Sequence, residues 1–453
     1  MRKTEGLSIK ATRLERFSLW MGHAVPDAIT ASVVFLFIVA VVALLIGTPA
    51  GMVMDAYYRG LWMLLPFTMQ MTLIIVLGSA LSSSRLVRQL VVNVSRIPTT
   101  AKGVTTLAIL LSAAVSYLHW GLGYSLAPVI AVYFASEAER KGVAVDFPFL
   151  LAASYAGVSV WQFGLSASAP LLVATPGHFL ESSIGVIPLR QTIWAPATVF
   201  HVVAFTVSAV LVARWVMPRH ASTIAEFPES YHLTESSAQA LPPPESYSAR
   251  LERSPLTMIA LAAVLAAWLV YHFVISRRSL DINSLNTALL LLTLLLHGNF
   301  KAFTLAIEKA VVAAWPVIIL YHLYAGVAGL IQFTPVGERM AALAAAVSTP
   351  YTFPTLTAIA GTLVAVFVPS SGGQWAIQGF VTSAAAQAAG VSVERGLLAL
   401  SVGDQLGNLT TPFWYVVVAG IARLDFRRFF GFGLIFAALW FVIGIIAFTF
   451  LPC

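Results

Sequence analysis

The sequence contains few charged residues and a single cysteine, and both features limit the classes of protein to which it can belong. Only 10% of its 453 residues are charged, whereas 59% are hydrophobic. A soluble domain usually carries about 25% charged residues, so most of this surface is not suited to water. The single cysteine, Cys453, is the last residue, which excludes an intrachain disulfide and a cysteine metal site.

Motifs of other function classes are also missing. The sequence has no Gly-x-Ser-x-Gly motif, no phosphate-binding glycine loop with its lysine, and no His/Asp/Glu cluster at metal-ligand spacing. We therefore predict that the protein is not an enzyme and holds no cofactor or metal. The net charge is +7. The lysines and arginines lie between apolar runs, and the positive-inside rule for membrane proteins explains that placement better than a nucleic-acid-binding surface does.

Long apolar runs are what the chain has instead. Several approach the roughly 20 residues that a helix needs to cross a bilayer. They predict an all-α integral membrane protein in contact with lipid, with full crossings near 28–46, 60–81, 147–172, 194–215, 255–275, 284–297, 311–333, 396–422 and 429–450.

Two further apolar stretches, 103–136 and 352–389, are interrupted by glycine-rich polar sequence. We interpret each as a re-entrant hairpin, because broken backbone at membrane depth is tolerated only where protein or a water-filled cavity satisfies it. With a cytoplasmic N-terminus and a periplasmic C-terminus, this topology leaves 20 of the 26 lysines and arginines inside. The count agrees with the positive-inside rule.

The same order of elements occurs twice. We predict a cytoplasmic segment 1–27, a first repeat 28–215, a flexible cytoplasmic linker 216–254, a connecting span 255–283 that inverts the second half, and a second repeat 284–453. Inverted repeats with interrupted helices are the signature of secondary transporters, whose sites lie where the breaks meet.

Four breaks carry the residues of the predicted site: the hairpin tips HWGLG (119–123) and PSSGGQW (369–375), and the downstream sequences FGLSASAP (163–170) and LGNLTTP (406–412). Tip glycines allow positive φ, helix N-termini suit a carboxylate, and hydroxyls and carbonyls offer oxygens to a cation. The alternative is that these small residues only permit close packing or kinks. Predicted substrate-binding residues are His119, Trp120, Gly121, Gly123, Ser166, Ser168, Pro170, Ser370, Ser371, Gly372, Gly373, Gln374, Trp375, Asn408, Thr410, Thr411 and Pro412.

Asp404 is the only acid inside a predicted span, and an acid at membrane depth is a functional candidate. It would carry a coupling proton, ligate a cation or orient the break; the alternative is a buried carboxylate bonded to Gln405 or to tip backbone. His119 would bind the substrate or relay a proton, or be a neutral structural histidine. With Ser370 and Thr411 these residues are the candidates for coupling H⁺ or Na⁺. No basic residue lies at a break, which favours a small monocarboxylate.

The segments FTMQMTLIIVLGSAL (67–81), HWGLG, APLLVATPGH (169–178), VPSSGGQWAIQG (368–379) and Asp404–Gln405 followed by TPFW (411–414) resemble the bacterial short-chain fatty acid transporter family, the acetoacetate and butyrate permeases. The similarity runs over about 17–450. It implies proton- or sodium-driven uptake of a short-chain carboxylate across the inner membrane. It also implies paired hairpins, a mobile transport domain, elevator-like movement and a homodimer.

By the same resemblance, the first tip with 164–170 and Thr175–Gly177 forms one half-site, and the second tip with 407–412 forms the other. The chain departs from the family at both tips. Asparagine is commoner there than His119, and histidine or a smaller residue is common in place of Gln374. The open alternative is a carrier for a dicarboxylate or an amino-acid derivative.

Overall fold

The structure is a computed structural model that describes residues 27–231 and 246–453. The predicted N-terminal segment, apart from Asp27, and linker residues 232–245 lie outside the described residues. In the part that is described, every regular element is a helix, and eight of the helices are long and apolar enough to cross a membrane. The predicted all-α membrane fold is confirmed.

The helices before the linker form the first half of the chain. They are α1 (Ala28–Leu45), α2 (Ala50–Met63), α3 (Leu65–Ser82), α4 (Arg85–Ser95), α5 (Ala101–Leu118), α6 (Trp120–Arg140), α7 (Phe147–Val158), α8 (Ser168–Ala174), α9 (Glu181–Ile184), α10 (Pro196–Val216) and α11 (Pro228–Tyr231), with 3₁₀ turns at Ser159–Phe163, Leu189–Gln191 and Ile224–Glu226.

The helices after the linker form the second half. They are α12 (Tyr247–Glu252), α13 (Pro255–Val270) with a π-helical end (Tyr271–Ile275), α14 (Ile282–His297), α15 (Phe300–Val311), α16 (Trp315–Gln332), α17 (Pro335–Ala346), α18 (Phe353–Ala365), α19 (Ser371–Ala388), α20 (Val393–Thr410), α21 (Pro412–Ala422) and α22 (Arg427–Phe450).

The candidate spans differ sharply in burial, and this shows where the core lies. In the 18-residue apolar window of the Phe147–Ala174 span 94% of the residues are buried inside the protein, against 17% in that of Pro255–Ile275. Helices that are apolar all round belong in a core or in lipid. The first span is therefore the centre of the molecule, and the second is a peripheral helix with an apolar surface suited to lipid.

Both broken stretches double back on themselves. Lys141, just after α6, donates hydrogen bonds to the carbonyls of Arg96 and Pro98, just before α5. Phe353, at the start of α18, packs with Ala385 and Ala386 near the end of α19. The ends of each stretch thus lie together, as a hairpin requires. That each hairpin enters and leaves the membrane on one side stays a prediction.

Helix contacts come in matching pairs between the halves. Helix α1 packs on α16, and α14 packs on α3; α2 packs on α16, and α15 packs on α3. The second arm of each hairpin follows the same scheme, α6 on α3 and α19 on α16. This is the contact pattern that two repeats would make, while their opposite orientation across the membrane stays a prediction.

Helices α2 and α15 are among those that were not predicted. The span predicted near 60–81 is preceded by α2, and α15 occupies residues interpreted as a loop. Charged residues interrupt the apolar sequence of both helices: Asp55 and Arg59 in α2, and Lys301 in α15. Asn299 caps α15 by accepting a hydrogen bond from the backbone N–H of Ala302 at 2.9 Å.

Part of the predicted flexible linker is packed against the protein. Asp146 caps α7 and also accepts a hydrogen bond from the backbone N–H of Ser222 at 3.1 Å. The Ser230 hydroxyl donates to the carbonyl of Arg423 at 3.2 Å, and Ile224 is buried. Residues 222–231 of the predicted linker therefore contact the folded part of the chain, and the flexibility of the linker stays a prediction.

The crossing of α2 and α16 depends on two glycines. A Cβ added at Gly60 would lie 2.5 Å from both the Ala325 carbonyl oxygen and the Gly329 Cα. We expect Gly60→Ala to lower the free energy of unfolding by about 1–3 kcal/mol, the usual cost of overpacking. Thermal unfolding in detergent measures it.

Gly420→Ala is the matched control, because no atom lies within 4 Å of a Cβ added there. It should be neutral or stabilise α21 by about 0.5–1 kcal/mol. Equal melting temperatures for the two variants would contradict the close-crossing interpretation.

Candidate functional site

Helices are interrupted at both hairpin tips and at one place downstream of each. Helix α5 gives way to α6 at the single residue His119, and α18 gives way to α19 across 366–370. The chain leaves α-helical geometry between α7 and α8, and α20 gives way to α21 at Thr411. These are the positions at which the sequence predicted breaks.

The two hairpin tips have the same local geometry. His119 has φ −156° and ψ 118°, and Ser370 has φ −156° and ψ 112°. Each caps the helix that follows: His119 Nδ1 accepts from the backbone N–H of Leu122 at 3.1 Å, and Ser370 Oγ accepts from that of Gly373 at 3.4 Å. An acceptor at the N-cap satisfies a donor that a helix start leaves free. His119 is thus a capping residue, and its Nε2 is buried without a partner.

The predicted reason for the tip glycines is wrong. None of Gly121, Gly123, Gly372 and Gly373 has positive φ, because an extended capping residue makes each reversal. The glycines provide space instead. A Cβ at Gly123 would collide with Ser116, and Cβ atoms at Gly372 and Gly373 would each lie 2.6 Å from an aromatic ring, of Phe67 and Tyr324 respectively.

A cavity of about 450 Å³ is lined by residues of three of the breaks and of α21, the helix that follows the fourth. From the three breaks these are Trp120, Gly121, Ser168, Pro369 and Ser370, and α21 adds Phe413 and Trp414. Helices α3 and α16 supply others, including Met71, Ser79, Leu320, Tyr321 and Tyr324.

Aromatic rings dominate this wall. The rings of Tyr124 and Trp414 are 4.0 Å apart, and those of Trp120 and Trp161 are 5.9 Å apart. Two polar links hold the second tip: Trp414 Nε1 donates to the Pro369 carbonyl at 3.3 Å, and the Tyr321 hydroxyl lies 2.9 Å from Ser370 Oγ. Among the described residues that line the cavity, none is lysine or arginine.

Asp404 lies behind the wall and is 1% exposed. Gln162 and Asn408 both donate through their amide nitrogens to its Oδ2, the latter at 3.1 Å. The predicted alternative partners are not the ones found: Gln405 instead accepts from Trp161 Nε1 and donates to Ser159 Oγ, both at 3.0 Å. Trp161 separates this polar cluster from the cavity.

The other predicted residues lie around the cavity without lining it. Ser166 Oγ accepts from the backbone N–H of Trp120 at 2.8 Å and ties two breaks together. Gln374 donates to the Gly361 carbonyl at 2.5 Å, and Thr410 donates to the Leu406 carbonyl at 2.8 Å. Trp375, Pro170, Pro412, Ser371 and Thr411 are buried, and the last two have hydroxyls without a partner.

Thr175 belongs to a different place. Its hydroxyl accepts from the backbone N–H of Ile282 at 3.2 Å, and it lines a separate pocket of about 120 Å³ with Gly177 and Gln70. Of the predicted binding residues, the cavity wall includes Trp120, Gly121, Ser168 and Ser370. Their role in binding stays a prediction.

Tyrosines are the residues that the sequence did not reveal. Tyr155 donates to the Asn408 carbonyl and Tyr415 to the Leu409 carbonyl, both at 3.1 Å. These carbonyls lie at the end of α20, at one of the breaks whose carbonyls the sequence predicts as ligands of a cation. The one available signal was spacing, since Tyr124 lies one turn after Trp120 and faces the same cavity.

The profile of the family described as short chain fatty acid transporter matches residues 11–451. A protein of Escherichia coli (strain K12), provisionally named a short-chain fatty acid transporter, is 32% identical over 96% of this chain and 99% of its own length. One from Haemophilus influenzae with the same provisional name is 29% identical over 96% of this chain and 99% of its own length.

Two solved transporters share the fold. The Alcanivorax borkumensis YdaH transporter has a TM-score of 0.60 at 14% identity, covering 94% of this chain and 98% of its own. Neisseria gonorrhoeae MtrF, described with a class of antimetabolite efflux pumps, has a TM-score of 0.57 at 15% identity, covering 96% and 97%. At these identities the similarity concerns the fold alone.

Replacing the cap at the first tip tests its role. His119→Asn keeps a side-chain acceptor, so we expect melting temperature and transport rate close to those of the wild type. His119→Ala removes the acceptor and should cost about 1 kcal/mol of stability. Thermal unfolding and proteoliposome uptake measure both effects. A stable His119→Asn protein with no transport would show that the imidazole does more than cap the helix.

Proposed function

Because the chain belongs to the short-chain fatty acid transporter family, we propose that it is an ion-coupled carrier that imports short-chain fatty acids or similar small monocarboxylates, such as acetoacetate and butyrate. The observation that carries the proposal is the single cavity lined from both hairpin tips and both downstream segments. Secondary carriers place their substrate where such breaks meet.

The tips suit one carboxylate. Helices α6 and α19 both begin at the cavity, which Gly121 and Ser370 line. The partial positive charge and free donors of helix N-termini favour an anion. Without a lysine or arginine in the wall, a second carboxylate would remain uncompensated, so a monocarboxylate is favoured over a dicarboxylate.

The rest of the wall suits a short apolar chain. Trp120, Trp161, Trp414 and Met71 present apolar surface, and a largely apolar cavity with a few polar groups is the usual form of a small-molecule site. A volume of about 450 Å³ lies within the roughly 300–1,000 Å³ of such sites. The short acyl chain would contact the aromatic side chains while the tips hold the carboxylate.

Asp404 supports coupling to an ion. A carboxylate buried at membrane depth is costly without a neutralising partner. The ion pairs formed by described residues involve Asp55 and Glu137 and do not reach Asp404. A coupling proton or sodium ion would supply the missing positive charge, and its gradient would drive uptake.

Movement of the hairpins relative to α3 and α16 would give access from each side in turn. Both tips press on these helices through glycines: His119 against Gly78, and Gly373 against Tyr324. In an elevator-like slide of a transport unit along a scaffold, these contacts would be broken and remade. The scaffold would comprise α1–α3 and α14–α16, and its exposed apolar faces would contact lipid and a second subunit in a homodimer.

Uptake into proteoliposomes tests the proposed substrate. We expect saturable uptake of labelled acetate, butyrate and acetoacetate that depends on an inward gradient of Na⁺ or H⁺, with the two varied independently. Succinate should compete poorly, because the wall has no basic residue for its second carboxylate. Protein-free liposomes provide the control. A clear preference for dicarboxylates would favour the alternative substrate class, and ungated ohmic current would indicate a channel.

Replacing the buried acid tests the coupling. Asp404→Asn keeps the shape of the side chain but removes its charge, so gradient-driven uptake should fall to the rate of protein-free liposomes. Asp55→Asn is the control, because Asp55 is exposed on α2 and should leave uptake unchanged. Wild-type uptake by Asp404→Asn would remove this residue from the coupling mechanism.

A further inference from the structure

The cluster around Asp404 has more hydrogen-bond acceptors than donors. Gln162, Asp404 and Asn408 are buried, and both amides donate to the same carboxylate oxygen, Oδ2. Gln162 Oε1, Asp404 Oδ1 and Asn408 Oδ1 are all buried without a partner. A buried acceptor without a partner is rare in folded proteins and costly. Three from one cluster mark this place as a candidate binding site.

Three nearby donors are already used, whereas the buried hydroxyl of Tyr124, whose ring packs on Tyr155 and Trp161, has no partner. Trp161 Nε1 donates to Gln405, Gln405 Nε2 donates to Ser159, and the Tyr155 hydroxyl donates to the Asn408 carbonyl. Thr411, one turn beyond Asn408, has a further buried hydroxyl without a partner. A cation that takes oxygen ligands would satisfy the three acceptors together, and the hydroxyl of Thr411 is a further oxygen beside them.

The two amides provide a way to bind it. A half-turn of a carboxamide exchanges its nitrogen and oxygen while its shape stays nearly the same. After such a turn, Gln162 Oε1 and Asn408 Oδ1 would both face Asp404 Oδ2, where their nitrogens now meet. Three oxygens would then surround one point inside the protein.

We propose that Asp404, Gln162 and Asn408 form a sodium site in which the amide nitrogens face the carboxylate when the site is empty and the amide oxygens face it when Na⁺ is bound. This inference rests on the proposed ion-coupled carrier, and it names the ion and its ligands. Ser370 and His119, which cap helices, are not ligands of this site.

Charge and ligand type favour Na⁺ over the other candidates. A proton needs one carboxylate oxygen and gives no role to two converging amides. A divalent cation would be half-neutralised by the single carboxylate, whereas Na⁺ is balanced by it. Hard cations prefer oxygen ligands of the kinds present here, carboxylate and amide carbonyl.

The site is placed to affect substrate binding. Gln162 follows Trp161, which lines the cavity and is held by Gln405, the neighbour of Asp404. Occupancy by Na⁺ would fix Gln162 and thereby the position of Trp161 in the wall. Ion and substrate would then bind cooperatively through one short segment.

Thermal unfolding of the purified protein without substrate tests the site, with NaCl replacing choline chloride at constant ionic strength. A ligand that binds only the folded state raises the melting temperature. We expect Na⁺ to stabilise the wild type. Asp404→Asn should lose the response. Gln162→Met and Asn408→Leu should raise the half-saturating Na⁺ concentration by about tenfold or more, since even outer partners of a metal site matter on this scale.

Asn286→Leu is the matched control, because it removes a buried amide that donates to the Gln70 carbonyl and lies outside the proposed site. It should keep the wild-type Na⁺ dependence. Should the Met or Leu variants fail to fold, Gln162→Glu and Asn408→Asp retain the oxygen ligands and should keep the Na⁺ response.

The proposal is overturned if Na⁺ does not stabilise the wild type more than choline or K⁺ does, or if Asn286→Leu weakens the response as much as Asn408→Leu. Uptake that follows pH and ignores Na⁺ would overturn the sodium site and leave the carrier intact. A Na⁺ response confined to the proposed ligands, in a protein that transports no carboxylate, would support the site and reject the proposed function.

Discussion

Backbone groups freed by a broken helix must find partners inside the protein, because lipid offers none. This chain meets the requirement with side chains at its breaks. His119 and Ser370 accept from the first turns of α6 and α19, and Ser166 accepts from the first residue of α6. At the end of α20, hydroxyls of Tyr155 and Tyr415 cover two carbonyls. The cavity can exist where it does because these bonds stabilise its irregular walls.

Close packing sets the second constraint. The tips approach α3 and α16 so nearly that Gly78, Gly372 and Gly373 have no room for a side chain. Backbones pack equally closely where α2 crosses α16 at Gly60 and Gly329. Small residues at helix interfaces are typical of membrane proteins, where dispersion and shape rather than water exclusion hold helices together. Where the tips meet α3 and α16, each glycine receives a ring from the opposite element: His119 packs on Gly78, Phe67 on Gly372 and Tyr324 on Gly373.

The places of the helices and their breaks were readable from the sequence, because apolar length and clusters of glycine, proline and serine act locally. The charged residues of α2 and α15 hid two helices, since amphipathic helices lack a continuous apolar run. Partners distant in sequence could not be predicted. Gln162 reaches Asp404 across 242 positions, and Tyr155 reaches the Asn408 carbonyl across 253. The positive φ predicted for the tip glycines was wrong because one extended residue is enough to reverse the chain.

The two tips share one backbone geometry but not one chemistry, and this difference affects how a molecule with a head and a tail is oriented. Two identical tips facing each other across a cavity would offer a carboxylate two equivalent positions, so that a short acid would bind in either direction. The tips differ, because one has the imidazole of His119 buried against α3 and the other has the hydroxyl of Ser370 paired with Tyr321. The two positions for a carboxylate are therefore not equivalent. In the proposed carrier, a nearly symmetric pair of tips would thus bind an asymmetric substrate in a single orientation.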